Sequence, residues 1–234
     1  MKTFAFLLPV FLSAALCKNL NAQSWGTVGT GIGGTSVEAF EEFNGELFVG
    51  GMMTVAGPVV AHGIARWDGT DWNSAGMGNG FILIFSLKQR NGYLFAGGEF
   101  YTSGGAPGNC IAKWDGASWN SAGTGMNNHV FCLEQYNGEL YAGGSFDSAD
   151  GSPVNYIARW NDTTWSAAGS GVNHADVTAL AVYNGELYAG GSFEIAGGVS
   201  ALSIARWNGT NWSSAGTGIN GWVFDLEVFN NELY

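Results

Sequence analysis

Two imidazoles and a carboxylate are the first side chains in this sequence that could do chemistry. His129 and His174 fall at nearly equivalent points of adjacent repeats, and Asp176 follows His174 by two residues. Histidine nitrogen with carboxylate oxygen suits zinc or a similar divalent ion. Asp147 and Asp150, in the run Asp147-Ser-Ala-Asp-Gly, offer oxygens for calcium, but a calcium loop needs more oxygens at fixed spacing, so this run reads as a turn. Beside these lie Asn127, Asn128, Asn173 and Asn220, with His62, Tyr101 and Trp222. Amides and aromatic rings in loops suit recognition more than bond breaking. Solvated or hydrogen-bonded histidines are the plainer reading. No cofactor is expected, with a divalent metal ion as the alternative.

Catalytic templates are otherwise missing from the sequence. It contains no Gly-x-Ser-x-Gly elbow, no His-Glu-x-x-His, and no glycine-rich phosphate loop running into a helix. Acidic residues are plentiful, yet no pair is marked as a glycosidase dyad.

The elements that must position these residues follow from composition and spacing. The 234 residues include 38 glycines and only 4 prolines, with 14% aromatic residues. That profile predicts short strands joined by glycine turns. Residues 1–22 read as a secretory signal, with Lys2, an apolar stretch Phe4–Leu16, and Ala22 before the cut; that stretch is too short to span a bilayer. Secretion or cell-surface display is therefore expected. Removing the segment takes away Lys2 and Lys18, leaving six basic against 19 acidic residues and a formal charge of −13. Nucleic acid and anionic membrane surfaces would be repelled.

Trp25, Trp72, Trp119, Trp165 and Trp212 recur at intervals of 46–47 residues, and Trp67, Trp114, Trp160 and Trp207 stand five residues before the last four. Asn-Gly-Glu-Leu-Tyr/Phe-x-Gly-Gly and Ile-Ala-Arg/Lys-Trp recur between them, at Asn44–Gly51 and Ile64–Trp67 for example. Four units (about 25–71, 72–118, 119–164 and 165–211) and a partial fifth (212–234) result. Each unit reads as four strands, a to d, with an Asn-Gly hairpin turn between a and b. A longer loop joins b to c, and Asp/Asn-Gly turns c into a short d.

The double glycine closing one strand, the aromatic closing the next, Asp/Asn-Gly and then Trp resemble the kelch motif, from Trp25 to Tyr234. They also resemble the tandem repeats of secreted and cell-surface proteins of bacteria that use the type IX pathway. The resemblance implies an all-β, kelch-like β-propeller and is silent about ligand. Strand c ends in Arg-Trp or Lys-Trp where kelch repeats usually carry Tyr. Kelch-like copper oxidases bring Tyr, His and Cys onto one metal, which two packed cysteines fit poorly. The fifth unit stops inside strand b, which is expected of a fragment of a longer propeller.

A residue type present in every unit most economically serves blade packing. Glu46, Glu139 and Glu186 should therefore pair with Arg66, Arg159 and Arg206 across strands b and c. Cys110 and Cys132 read as small buried residues more readily than as a disulfide. The b–c and d–a loops vary and share one face, where specificity is expected. The expected function is non-catalytic binding or adhesion, engaging glycan or protein through that face. A metal-dependent hydrolase or oxidase at the propeller centre, or a structural spacer, are the alternatives.

Overall fold

The computed structural model describes residues 28–78, 82–103, 106–173 and 176–234. The proposed signal segment, Trp25 and His174 lie outside the described residues. Every regular element among the described residues is a β-strand.

Four antiparallel sheets carry the repeat, each in the order a-b-c-d. The first comprises Ile32–Phe43, Glu46–Ala56, Ile64–Trp67 and Trp72–Ser74; the second Leu83–Arg90, Tyr93–Glu99, Ile111–Trp114 and Trp119–Ser121. The third comprises Val130–Tyr136, Glu139–Gly144, Ile157–Trp160 and Trp165–Ala167; the fourth Val177–Tyr183, Glu186–Gly191, Ile204–Trp207 and Trp212–Ser214. A fifth unit contributes the hairpin Val228–Phe229 with Glu232–Leu233. Strands a of successive sheets lie side by side, so the sheets stack as propeller blades.

The a–b turns form because Asn and Gly tolerate the left-handed backbone that a type I′ turn requires at both positions. Asn137 and Gly138 have φ of 49° and 78°, and Asn184 and Gly185 of 49° and 75°. The c–d turn works differently. There Asp115 caps the chain, its carboxylate accepting hydrogen bonds from the backbone nitrogens of Ala117 and Ser118, both at 2.8 Å. Asn161 and Asn208 do the same with an amide oxygen.

The double glycines explain how blades stack. The register of strand a against strand b slips at Val37/Ala39, Ile84/Ser86, Val130/Cys132 and Val177/Ala179. Each slip is a β-bulge, which leaves one residue unpaired and re-aims its side chain. The second glycine of each pair, Gly51, Gly98, Gly144 or Gly191, lies where any side chain would strike the backbone just ahead of the bulge, at Ser36, Leu83, His129 or Asp176 O. The first glycine seats the next blade: a methyl group on Gly97 would lie 2.5 Å from Val130 Cγ1, and one on Gly143 2.5 Å from Val177 Cγ1. One glycine thus permits the bulge and the other permits the neighbour.

Tryptophans of strand d latch blade to blade. The indole nitrogens of Trp119, Trp165 and Trp212 donate to the carbonyls of Ala75, Ala122 and Ala168 of the preceding unit, at 2.7, 3.0 and 2.8 Å. Each of these tryptophans also lies against the strand c tryptophan of its own sheet, with ring centroids 5.3–5.5 Å apart. The expected ion pairs form, Arg66–Glu46 at 2.8 Å, Arg159–Glu139 at 3.3 Å and Arg206–Glu186 at 3.0 Å. In the second unit Tyr93 replaces the glutamate, and Lys113 lies over its ring instead, 4.9 Å from the centroid. Half-exposed pairs of this kind contribute at most ~1 kcal/mol each.

The b–c connections hold more order than a loop. Three contain a small hairpin: Thr102–Ser103 with Ala106–Pro107, Ser148–Ala149 with Ser152–Pro153, and Ile195–Ala196 with Val199–Ser200. In the first blade strand b itself runs on and pairs with Val59–Val60. Asp150 and Gly151, with φ of 48° and 75°, form the turn of the third.

Candidate functional site

Two concave features lie where residues depart from the repeat. The first is an axial cleft of about 750 Å³, bordered by strands a of the four sheets and by Phe224–Val228 of the fifth unit. The unpaired bulge residues Glu38, Phe85, Phe131 and Thr178, and Phe224 at the same repeat position, all line it. Their types differ although the backbone repeats. Phe85 and Phe131 meet edge to face with centroids 5.2 Å apart. His129 joins them, 6.5 Å from Phe85 and 6.1 Å from Phe131, and its Nε2 lies 3.7 Å from a Glu99 carboxylate oxygen.

Three residues further along each strand a lies a second ring: Glu41, Lys88, Glu134, Ala181 and Glu227. Lys88 Nζ lies 2.8 Å from Glu134 Oε1. Burial raises the Glu41 carboxyl above its ordinary value against a lowering hydrogen bond from Gln89 and the charge of Lys88, with Glu134 adding to the rise. Burial likewise raises Glu227, with Asp225 and Glu134 adding to it. Cys132 borders the same cleft with its sulfur against Val177 O; burial pushes its thiol far up, which leaves it an inert packing group. Cys110 and Cys132 are both buried and free.

The second feature is a groove of about 380 Å³ between the third and fourth blades on the b–c/d–a face, bordered by Asp147, Asn155, Tyr156, Val172, Asn173 and Ile195 among others. Asn127 and Asn173 act as equivalent clamps on this face. Asn127 Oδ1 accepts from the backbone nitrogens of Asp147 and Ser148 at 3.2 and 3.0 Å, while its amide donates to Asp147 Oδ1 at 2.7 Å. Asn173 Oδ1 accepts from the nitrogens of Glu194 and Ile195 at 3.0 and 2.8 Å. The next blade's b–c hairpin is thus tied to the d–a loop that precedes its own strand a.

The sequence-selected residues therefore scatter by role. Asn128 Oδ1 caps the backbone nitrogen of His129 at 2.9 Å. Asp150 accepts from Thr124 nitrogen at 2.6 Å and Trp165 nitrogen at 2.8 Å, tying two elements together. Asp147 and Asp150 thus spend their oxygens on protein donors. Asp176 sits at the start of strand a, at the repeat position of His129. Among the described residues, no three His, Cys, Asp or Glu side chains converge as a metal group. Tyr101 and Trp222 are largely exposed, and Trp222 lies 5.9 Å from Phe224. Asn220 stands at the clamp position of the fifth unit. The bulge residues were missed in sequence. The signal for them was the paired glycine in strand b, which accommodates a kink in the strand opposite.

A family model described as a domain of unknown function (DUF5122) beta-propeller matches residues 135–161, the end of strand a through strand c of the third sheet. The match agrees with the stacked four-stranded sheets: the chain is an all-β protein of β-propeller type. No curated protein matches the chain. Among solved structures, it is similar to the computationally designed Ika8 protein, at 15% identity over 85% of this chain and 67% of that one, with a TM-score of 0.45.

Proposed function

We propose that this is a kelch-like propeller, exported by residues 1–22 to the cell surface or medium through a type IX context. There it serves as a non-catalytic module that binds a glycan or a surface protein through the b–c/d–a face. One observation carries the reading. Asn127 and Asn173 fasten the variable hairpins to the frame, so the groove between blades three and four is preformed and lined by polar groups and the Tyr156 ring. A preformed groove binds without first ordering its loops, and a ring beside hydrogen-bonding groups suits a neutral sugar or a protein loop. Catalysis asks instead for a nucleophile, base and orienting group in register. The test is a glycan array together with pull-down of surface proteins, using the purified protein and its Tyr156→Ala variant. Binding that weakens at least tenfold in the variant supports the groove; blank results in both assays with the parent protein overturn the reading.

A further inference from the structure

We propose that the b–c hairpin of the fourth blade is a strand-addition site, which pairs with an extended segment of another protein that alternates aliphatic residues with lysine or arginine. The free edge of the hairpin, Val199–Ser200, is the pairing element. It stands on the loop face but outside the groove beside Tyr156, so the site does not depend on ligand capture there.

Three departures from the repeat meet on this hairpin, and the first is in the backbone. Val199 pairs with Ala196, and Ala201 N donates to Glu194 O at 2.8 Å. Antiparallel pairing alternates, so Ser200 between them turns its N–H and C=O to the open edge. The same register position is Pro107 in the second blade and Pro153 in the third, which have no N–H to offer. Proline on an edge strand blocks pairing by another chain. Val60 holds the position in the first blade. The second departure is in the side chains. Ile195, Val199 and Leu202 are 40–45% exposed, where the third blade has Ser148, Ser152 and Asn155. Ser152, Pro153 and Asn155 stay exposed with the fourth blade beside them, so exposure belongs to the repeat position.

The third departure is strain. Leu202 has φ of 30°, at the place that Asn109 and Asn155 hold with φ of 39° and 49°. Those asparagines also donate to Thr124 O at 2.7 Å and Ser170 O at 3.0 Å. Leucine has neither the amide nor the tolerance of left-handed backbone. An exposed leucine held there does little for the fold, and strain of this kind gathers where a protein makes contacts. The outward amide and carbonyl of Ser200 ask for an extended backbone, and the aliphatic side chains around it suit alternating apolar residues. Exposed Glu194 at the base of the hairpin, in a chain with many more acids than bases, favours a basic segment. A second copy of this chain would bring Glu194 against Glu194.

Fluorescence polarisation with a labelled, capped peptide, Lys-Val-Thr-Val-Lys-Val-Thr-Lys, tests the site. The parent protein should bind it, and Ser200→Pro, which gives the edge the residue of the neighbouring blades, should weaken binding by tenfold or more. Leu202→Asn should also weaken binding while raising Tm, because asparagine relieves the strain and can donate to the next turn. The same peptide with proline for its central valine should not bind, and one with glutamate for lysine should bind at least tenfold more weakly. No binding of the basic peptide to the parent overturns the proposal, as does equal binding to the parent and Ser200→Pro. A dimer seen in sedimentation that Ser200→Pro dissolves, with no peptide bound, would assign the edge to a second copy and also overturn it. If Ser200→Pro does not fold, Leu202→Asn and the proline peptide decide. Tyr156→Ala should leave peptide binding unchanged, so the groove and the hairpin edge fail separately.

Discussion

Arg90 and Asp162 depart from the repeat in adjacent blades, and they bind each other. Where the third and fourth strands a end in Tyr136 and Tyr183, the second ends in Arg90, a buried guanidinium. Where the other c–d turns carry Gly69, Gly116 and Gly209, the third carries Asp162 at φ 77°. Arg90 forms a two-pronged pair with Asp162 and donates to Gly138 O at 2.6 Å. Tyr136 makes the corresponding bond to Gly185 O at 3.0 Å, so the arginine keeps the tyrosine's bond and needs the aspartate for its remaining charge.

Asp162→Gly should therefore destabilise the protein despite restoring the turn's usual residue, since it leaves a buried guanidinium without its carboxylate. Because Asp162 is half exposed, the loss is about 1–3 kcal/mol, below that of a fully buried pair. Arg90→Tyr with Asp162→Gly should recover most of it, both residues then matching the repeat. Urea denaturation of both single variants and the double variant reads the coupling; additive losses would mean that the two sites act separately.

Gly97→Ala tests blade seating. Its new methyl group meets Val130 of the next blade at 2.5 Å, a contact that must be relieved by moving a backbone. Overpacking of this kind costs about 1–3 kcal/mol. Adding Val130→Ala removes the clashing methyls and should restore part of the loss by vacating the seat. A Gly97→Ala variant as stable as the parent would show that blades slide apart at no cost.

Most of this frame was legible in the sequence because its causes are local or periodic. Tryptophan spacing gave the sheets, Asn-Gly the a–b turns, and strand pairing the Arg66–Glu46 contact. The bulges were hidden because strand a shows uninterrupted apolar runs such as Val130-Phe131-Cys132-Leu133, in which a one-residue register slip leaves no mark. The burial of Arg90 leaves no local mark in the sequence, since its partner lies 72 residues away and one blade over. The run Asp147-Ser-Ala-Asp-Gly reads as a turn, and Asp150 and Gly151 form it; the sequence does not show which backbone nitrogens claim the aspartate oxygens.

Asn127→Ala and Asn173→Ala should loosen the loop face without unfolding the blades. Each removes a clamp worth ~1–2 kcal/mol on hydrogen bonds to a partly exposed segment. Hydrogen exchange should quicken at the Ser148 amide in the first variant and at the Ile195 amide in the second, with strand amides such as Leu140 unchanged. Tight ligand capture by the loop face should weaken in both. Unaltered exchange at those amides would mean that the hairpins hold themselves.

Acid should open the c–d turns capped by Asp68 and Asp115 and spare the one capped by Asn208. Asp115 accepts two backbone hydrogen bonds and one from the Asn120 amide, and these hold its carboxyl down to about 2; Asp68 is lowered by the same kind of bonds. A carboxyl whose folded value lies below its unfolded one contributes stability that is present above about pH 4, and this contribution is lost as pH falls through the folded value. Asn208 accepts the equivalent bonds with a neutral amide and carries no such dependence, whereas the Asn161 turn also holds Asp162, whose carboxyl the Arg90 guanidinium keeps below its ordinary value. Between about pH 4 and 2, the amide resonances of Ala117 and Ser118 should therefore shift and lose protection, while that of Asn211 stays in place. Asp115→Asn should keep the turn and remove its acid sensitivity, because the amide oxygen accepts the same two bonds. An equal acid response at the Asn208 turn would show that the titrating groups lie elsewhere.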